Sequence, residues 1–113
     1  VYMLPKKFRL PVENFESVYR TGKKVRGKYG MLVFSENNMG NPRIGFVVSK
    51  KIGNAVMRHR MTRLLRNSFL DAINELNMSD VNFDFQYVAF MYCDKYSLLK
   101  EEIKNQLMQM KND

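Results

Sequence analysis

The sequence predicts an α/β fold, a two-layer α+β sandwich of helices on a sheet with the element order αβββαβα. A continuous apolar run at residues 44–49 (IGFVVS) is typical of a buried strand. Residues 81–92 first alternate apolar with polar side chains and then become continuously apolar, which predicts a second clear strand. Apolar residues at three- and four-residue steps follow both stretches and indicate amphipathic helices. A chain of 113 residues is expected to form one domain spanning 1–113.

The elements of the amino-terminal half follow from apolar spacing and turn residues. Helical spacing within residues 15–19 predicts a first helix, which Gly22 is expected to end. Residues 24–35 are rich in β-branched and aromatic side chains and contain two glycines, so we expect extended segments separated by bends. Residues 36–42 (ENNMGNP) are dense in turn formers and predict an exposed loop.

Two helices are predicted in the carboxyl-terminal half. Gly53 and Asn54 supply a turn and an N-cap, so a long helix is expected over residues 55–76. One side of this helix is expected to pack: Met57, Met61, Leu64, Leu65, Ser68 and Ala72. Ser97 is expected to cap the last helix. The apolar stripe of that helix is formed by Leu99, Ile103, Leu107 and Met110.

The positive charge is concentrated in one part of the chain. The formal net charge is +8 and the pI is about 9.7, which attracts polyanions such as nucleic acid or an acidic membrane surface. Residues 37–70 contain seven Lys/Arg and no acid, whereas residues 71–113 contain four Lys/Arg and eight acids. This asymmetry predicts a directed binding surface centred on residues 43–66.

Several classes of protein and site are disfavoured. The sequence has neither an apolar run of about 20 residues nor a signal-peptide pattern, so we expect a cytoplasmic protein with no membrane partner. One cysteine (Cys93) and one histidine (His59) are too few for a disulfide framework or a zinc cluster, and no protein metal site is expected. A stand-alone nuclease would need grouped carboxylates or a base beside a nucleophile, so no catalytic residue is assigned to this chain.

The long helix is expected to present a row of cations opposite its packing side. With the two lysines before the helix, this row forms a surface that we call the basic ridge: Lys50, Lys51, Arg58, His59, Arg60, Arg63 and Arg66. Guanidinium groups hold phosphates with paired hydrogen bonds and stack on bases, so arginine in this number favours RNA over a membrane. Cations in the first turns oppose the helix dipole at about 0.3 to 1 kcal/mol each, and a bound phosphate backbone would reverse that cost.

These residues resemble the protein subunit of bacterial ribonuclease P. The resemblance is carried by residues 43–56 (RIGFVVSKKIGNAV), by the arginines that follow, and by Leu64 and Phe69; weaker agreement extends over most of the chain. Four departures are visible. His59 stands where the family usually has Asn, Thr62 stands where a basic residue is usual, and Asn67 stands where Glu or Gln is common. The last strand ends in residues 90–92 (FMY), where the family usually has an Arg.

The resemblance implies a left-handed crossover around the long helix and two RNA partners. One partner is the catalytic RNA that removes the 5′ leader of precursor tRNA with Mg²⁺ held mainly by the RNA; it is expected to bind the basic ridge and Asn54. The other is precursor tRNA, whose single-stranded leader is expected in a cleft between the first helix and the sheet. The expected leader-binding residues are Phe8, Arg9, Phe15, Tyr19 and Phe34. Stacking on such aromatics contributes about 1 to 3 kcal/mol per base and tolerates many sequences.

Two other interpretations stay open at this point. The chain could be another RNA-binding module, such as a ribosomal protein, although the helix and strand order disfavours an RNA-recognition motif. A DNA-binding protein is a weaker alternative that predicts a preference for duplex DNA. We expect RNA, and no DNA, as the partner.

Overall fold

The computed structural model describes residues 4–112, and its elements follow the predicted order αβββαβα. Short 3₁₀ turns lie at Lys6–Phe8, Val12–Asn14 and Lys50–Ile52. The helices are α1 (Phe15–Thr21), α2 (Ala55–Glu75) and α3 (Tyr96–Lys111). The strands are β1 (Lys23–Arg26), β2 (Gly30–Glu36), β3 (Arg43–Val47) and β4 (Phe83–Ala89).

The four strands form one mixed sheet in the order β1-β2-β4-β3. β2 pairs antiparallel with both β1 and β4, whereas β3 and β4 run parallel, with Ile44 opposite Phe85. β3 is therefore an edge strand. Its outer side is partly covered by the segment before α1, because Leu10 N–H donates to the Ile44 carbonyl at 3.0 Å and Arg9 forms a parallel bridge with Ile44.

Alternating side chains of the strands build two separate cores. On one face, Leu32, Phe34, Ile44 and Phe85 pack with α2 and α3, which gives the two-layer sandwich. On the other face, residues of β2 pack against α1 and the segment before it in a smaller cluster of Leu10, Val18, Met31 and Val33. The short α1 thus covers part of the face that the larger helices leave open.

The β3-α2-β4 crossover is left-handed, as the chirality of Ile44 shows. Consider a strand of L-residues that is viewed with its chain direction pointing upward. A residue whose side chain points toward the viewer then has its own N–H and C=O pointing to the right. The Ile44 side chain faces α2 and its carbonyl meets Leu10, so β4 lies to the left. A connection that passes in front of the sheet and moves left is left-handed, against the usual preference. This is the handedness that the resemblance implies.

Most helix boundaries follow the predicted capping residues. Gly22 ends α1, and its N–H donates to the Val18 carbonyl at 2.8 Å. The Asn54 side-chain oxygen accepts from Met57 N–H at 2.9 Å and caps α2 as predicted. The prediction that Ser97 caps α3 is wrong: the helix begins at Tyr96, with Lys95 at the N-cap and its carbonyl accepting from Leu99 N–H.

The packing sides of both long helices are close to those predicted. In α2 the buried residues are Met61, Leu65, Ser68, Phe69, Ala72 and Ile73, whereas Met57 and Leu64 are only partly buried. All four predicted apolar positions of α3 are buried: Leu99, Ile103, Leu107 and Met110. Cys93 is also buried, as expected of a structural thiol. Within residues 4–112, no helix combines the length and apolar character needed to cross a membrane.

Candidate nucleic-acid interface

The basic ridge lies along the amino-terminal half of α2 and the turn before it. Lys50 and Lys51 are exposed in the 3₁₀ turn, and His59, Arg60 and Arg63 are exposed on the helix. Arg58 and Arg66 are half-buried on its flanks. The sequence-predicted ridge residues therefore share one continuous side of the molecule, and α2 is free to pack through its other side.

Hydrogen bonds fix the first turn of this helix. The Asn54 oxygen is used in the cap, so its role in the folded chain is structural, with the amide nitrogen left to face a partner. Arg58 Nε donates to the Gly53 carbonyl at 3.1 Å, and Thr62 Oγ1 donates to the Arg58 carbonyl at 2.8 Å. These bonds turn Arg58 back toward the turn that carries the two lysines, as predicted, and hold that end of the ridge in place.

The ridge cations have little internal compensation. Arg60 lies 4.0 Å from a carboxylate oxygen of Asp94, and both side chains are substantially exposed, so this pair contributes little. In the described part of the chain, the other ridge cations form no ion pair with a carboxylate. Such a row of uncompensated guanidinium and ammonium groups attracts a polyanion.

Arg43 lies in the same acid-free segment but is not part of this surface. Its Nε and Nη2 donate to the two carboxylate oxygens of Asp84 at 2.8 Å each, and the two side chains are 15% and 8% exposed. The hydrogen bonds from Arg43 to Asp84 raise the pKa of the Arg43 guanidinium. The part of the expected 43–66 surface that is a basic ridge therefore begins at Lys50, because Arg43–Val47 forms a partly buried strand.

A cleft of about 370 Å³ opens at the edge of β3, between this strand, the segment before α1 and the side of α2. We call it the β3 cleft. It is lined by Leu4, Arg9, Leu10, Phe15, Ile44, Gly45, Phe46, Thr62 and Arg66. Glycine is required at position 45, because a Cβ there would lie 2.3 Å from the Phe15 ring. Two aromatic rings and two arginines thus share one cleft, a combination suited to unpaired nucleotides.

The five residues predicted to bind a leader do not all meet in the β3 cleft. Arg9 and Phe15 line it. Phe8 is half-buried against the larger core with Lys7 Nζ 5.0 Å from its ring centroid. Tyr19 is 46% exposed on α1 and carries Lys24 Nζ at 4.7 Å from its ring centroid. Phe8 and Tyr19 are outside the set of side chains that line the cleft.

The prediction for Phe34 is wrong. The side chain is 5% exposed and packs edge-on against Phe83 at a centroid distance of 6.0 Å, within the core under α2 and α3. Successive side chains of a strand point to opposite faces, and the residues of β2 that face α1 are Met31 and Val33. An error of one position in the register therefore moves Phe34 to the wrong side of the sheet.

Two residues of the cleft were missed by the sequence analysis. Phe46 belongs to a run that looks uniformly buried, and only the edge position of β3 leaves it half-exposed in the cleft. Thr62 was noted as a departure from the family, and it lines both the β3 cleft and a shallow pocket on the ridge. Arg66 also lines both the β3 cleft and this pocket, so Thr62 and Arg66 join the two surfaces.

The end of β4 keeps a cation despite lacking the arginine that is usual there. Phe90 follows β4, is 37% exposed, and has the Arg26 guanidinium 4.6 Å from its ring centroid. Arg26 is the last residue of β1, which pairs with β2 in a hairpin. A guanidinium from β1 thus lies over the aromatic ring that follows β4.

The described residues do not suit a resident Mg²⁺ ion. Mg²⁺ prefers carboxylate and other oxygen ligands, whereas the ridge and the β3 cleft are lined by cations, aromatic rings and aliphatic groups. Across residues 4–112, no group of three or more His, Cys, Asp or Glu is arranged to hold a metal. The chemistry of these surfaces is that of anion binding.

Comparisons with known proteins agree with these features. A family model described as Ribonuclease P matches residues 4–111. The Ribonuclease P protein component of Alkaliphilus metalliredigens is 36% identical over 89 residues, which is 79% of this chain and 77% of that protein. The protein of the same description from Thermoanaerobacter sp. (strain X514) is 47% identical over 55 residues, or 49% of this chain and 47% of the relative. The chain thus spans about half the length of that relative.

Solved structures share the fold. The RNase P protein from Thermotoga maritima is similar with a TM-score of 0.76 at 23% identity, covering 89% of this chain and 96% of that one. A structure of the Staphylococcus aureus RNase P protein gives 0.71 at 21% identity, covering 92% and 95%. The family match over nearly the whole chain, and the relative matched over more than two thirds of its length, show that this chain belongs to the ribonuclease P protein component family.

Proposed function

We propose that this chain is the protein subunit of a cytoplasmic ribonuclease P, which binds a catalytic RNA and precursor tRNA and promotes removal of the 5′ leader. The observation that carries the proposal is the junction of two anion-binding surfaces at Arg66 and Thr62. A ridge of cations on α2 runs directly into a cleft with aromatic rings. A protein that bound one RNA through one surface would not need a second surface with a different lining.

In this proposal the basic ridge docks onto the catalytic RNA. Its arginines hold phosphates by paired hydrogen bonds, and the cap at Asn54 together with the Arg58 bonds keeps the first turn rigid. The counterions released from the RNA then make the affinity depend strongly on salt. Because α2 packs through Met61, Leu65 and Phe69, the RNA meets a preformed surface.

The leader is proposed to enter the β3 cleft. Phe15 and Phe46 offer ring faces for stacking, and Arg9 and Arg66 lie beside them for the phosphates. Stacking does not depend on base identity, which suits a subunit that must accept leaders of many sequences. The cleft walls are fixed by the β3 bridge at Arg9 and by the contact of Phe15 with Gly45.

The chemistry is assigned to the RNA. Mg²⁺ would be held by RNA phosphates, and it would supply an activated water and charge stabilisation for the hydrolysis. The chain's own contribution is electrostatic: its cations offset phosphate repulsion between the two RNAs and hold the leader in place. Residues 37–70 contain no acid, which is consistent with a surface that supports catalysis without a general base of its own.

Precursor-tRNA cleavage at low Mg²⁺ tests this function. The protein should have no cleavage activity alone and should stimulate a bacterial ribonuclease P RNA under conditions where that RNA is slow. The matched control is the same assay on tRNA that already lacks the leader. Binding to ribosomal RNA without stimulation would favour another RNA-binding module, and cleavage by the protein alone would place the catalytic centre in this chain.

A further inference from the structure

The turn between β1 and β2 is fastened to α3 by two side chains of that helix. Glu102 accepts a hydrogen bond from Tyr29 N–H at 2.7 Å. Gln106 Nε2 donates to the carbonyls of Val25 and Gly30 at 3.1 Å each. The turn is therefore held in a fixed position beside the helix, and the space between the two has walls that the fold sets.

A groove of about 430 Å³ occupies this space. We call it the hairpin groove; it is bounded by residues 26–29 and by α3 residues 98–109. Gln106 lines the groove and is 2% exposed, yet within residues 4–112 its Oε1 has no hydrogen-bond partner. Because Nε2 is fixed on two carbonyls, this oxygen is a buried acceptor that lacks a donor. The exposed amides of Asn105 and Gln109 line the same groove, so a ligand that displaces them gains this acceptor.

Two exposed cations, Arg26 and Lys28, also line the hairpin groove. The Arg26 guanidinium lies 4.6 Å from the centroid of the Phe90 ring, and Lys28 Nζ lies 5.3 Å from the centroid of the Tyr29 ring. In the part of the chain that the structure describes, neither cation forms an ion pair with a carboxylate. The rings restrict the two cations without neutralising them, which leaves both for an external anion.

The rest of the groove suits an uncharged polar group better than an anion. Glu102 is occupied by its hydrogen bonds, which include one from the Tyr87 hydroxyl at 2.5 Å, and Glu101 is exposed on α3. A phosphate is therefore expected at Arg26 and Lys28, away from these two carboxylates. The amides of the groove offer both donors and acceptors, and the edges of unpaired nucleobases carry both as well.

We propose that the hairpin groove binds an unpaired nucleotide of an RNA strand, with the base among the amides of α3 and its phosphate on Arg26 and Lys28. The proposed function assigns no role to this groove, and the inference rests on it only for the source of the RNA. β1 and β3 are the opposite edges of the sheet, three strand spacings or about 14 Å apart, so this nucleotide is separate from a leader in the β3 cleft. Its source is an unpaired segment of the catalytic RNA or a further part of the precursor tRNA.

An NMR titration of the whole chain with an adenosine trinucleotide tests the groove directly. The side-chain amide signals of Asn105, Gln106 and Gln109 should shift and saturate, because the edge of adenine carries an amino donor and ring acceptors. An abasic ribose-phosphate trimer is the matched probe, and it should leave these signals in place. Unmoved signals with the trinucleotide, or equal shifts with the abasic trimer, would overturn the inference.

Single substitutions separate the base contact from the phosphate contact. Asn105→Ala should weaken trinucleotide binding by about three- to tenfold, the loss expected of one hydrogen bond, while the Gln106 bonds keep the turn in place. Lys28→Ala should lower the salt slope of binding by roughly 0.7. Lys111→Ala is the control for charge, because Lys111 is exposed at the end of α3, outside the groove. Equal losses for Lys28→Ala and Lys111→Ala would mean that the trinucleotide binds by net charge alone, against the inference.

The double substitution of Arg26→Ala with Lys28→Ala identifies the source of the nucleotide. Weaker binding of the catalytic RNA would assign the groove to that RNA, and weaker binding of precursor tRNA to the assembled complex would assign it to the substrate. If the affinity for both RNAs stayed the same, the groove would take no part in the complex and the inference would fail. Absence of ribozyme stimulation by the wild-type protein, with trinucleotide binding intact, would instead refute the proposed function.

Discussion

Arg43 and Arg63 belong to the same acid-free segment, yet their surroundings give them different tasks. Arg43 is held by two hydrogen bonds to Asp84 at the edge of the sheet, and Asn37 Nδ2 donates to the same carboxylate at 2.7 Å. Arg63 is exposed on α2. The first arginine satisfies a buried acid, and the second is free to meet an external anion.

Replacing each arginine by alanine should separate these tasks. Arg43→Ala leaves Asp84 with only one of its partners, and we expect a loss of about 3 kcal/mol in the free energy of unfolding. Arg63→Ala should leave stability unchanged and lower the slope of log K against log salt for RNA binding by roughly one unit. Urea denaturation and salt-dependent binding measure the two effects. A large change in salt slope for Arg43→Ala would contradict the assignment.

The ion-pair partner of Arg43 could not be identified from the sequence alone. Asp84 lies opposite Arg43 only because β3 and β4 are parallel neighbours in this register, and 41 residues separate the two along the chain. Phe34 shows the same limit in another form. Its aromatic character was visible in the sequence. A shift of one residue in the strand register, however, changes the face of the sheet to which its side chain points.

At the scale of elements, α2 was the most predictable part of the molecule. Its start at Ala55, its cap at Asn54 and its two faces follow from apolar spacing and a capping residue. The position of β4 between β2 and β3 was not accessible in that way, because strand order is decided by long-range packing. That order also makes β3 an edge strand, and the edge is what creates the cleft around Phe46.

Substitution of adjacent leucines tests how sharply α2 divides into two faces. Leu65 is fully buried, whereas Leu64 is only partly buried. Leu65→Ala should lower the free energy of unfolding by about 2 to 5 kcal/mol through the lost contacts and the cavity left behind. Leu64→Ala should cost clearly less, and neither change should alter the salt slope of RNA binding. Thermal or urea unfolding checks the first point. Equal costs at both positions would mean that the packing side is wider than described.

At the scale of the whole molecule, the uneven charge and the fold together generate two connected surfaces. The acids are concentrated in the last third of the chain, where α3 packs beside α2 on the same face of the sheet. There, Glu75 of α2 pairs with Lys100 and Lys104, and these partners lower the pKa of its carboxyl. This internal pairing leaves the ridge side with the uncompensated positive charge.

The connection between the surfaces yields a prediction about three arginines. Arg9 lines only the β3 cleft, Arg63 lies only on the ridge, and Arg66 lines both. Arg9→Ala should weaken binding of precursor tRNA relative to leaderless tRNA while the affinity for the catalytic RNA stays unchanged. Arg63→Ala should do the reverse, and Arg66→Ala should weaken both. Each lost phosphate contact should lower the corresponding salt slope by roughly one unit.

Titrations of the protein with the catalytic RNA, and of the assembled complex with the two tRNA forms, measure these effects. Arg20→Ala is the control, because Arg20 is exposed on α1 and pairs with Glu16, outside both surfaces. If Arg9→Ala weakened leaderless and leader-containing tRNA equally, the β3 cleft would not be the leader site. If Arg66→Ala affected the binding of only one RNA, the two surfaces would be separate in function although they share this side chain. Coupling between docking of the catalytic RNA and binding of the leader would then have to run through the RNA itself.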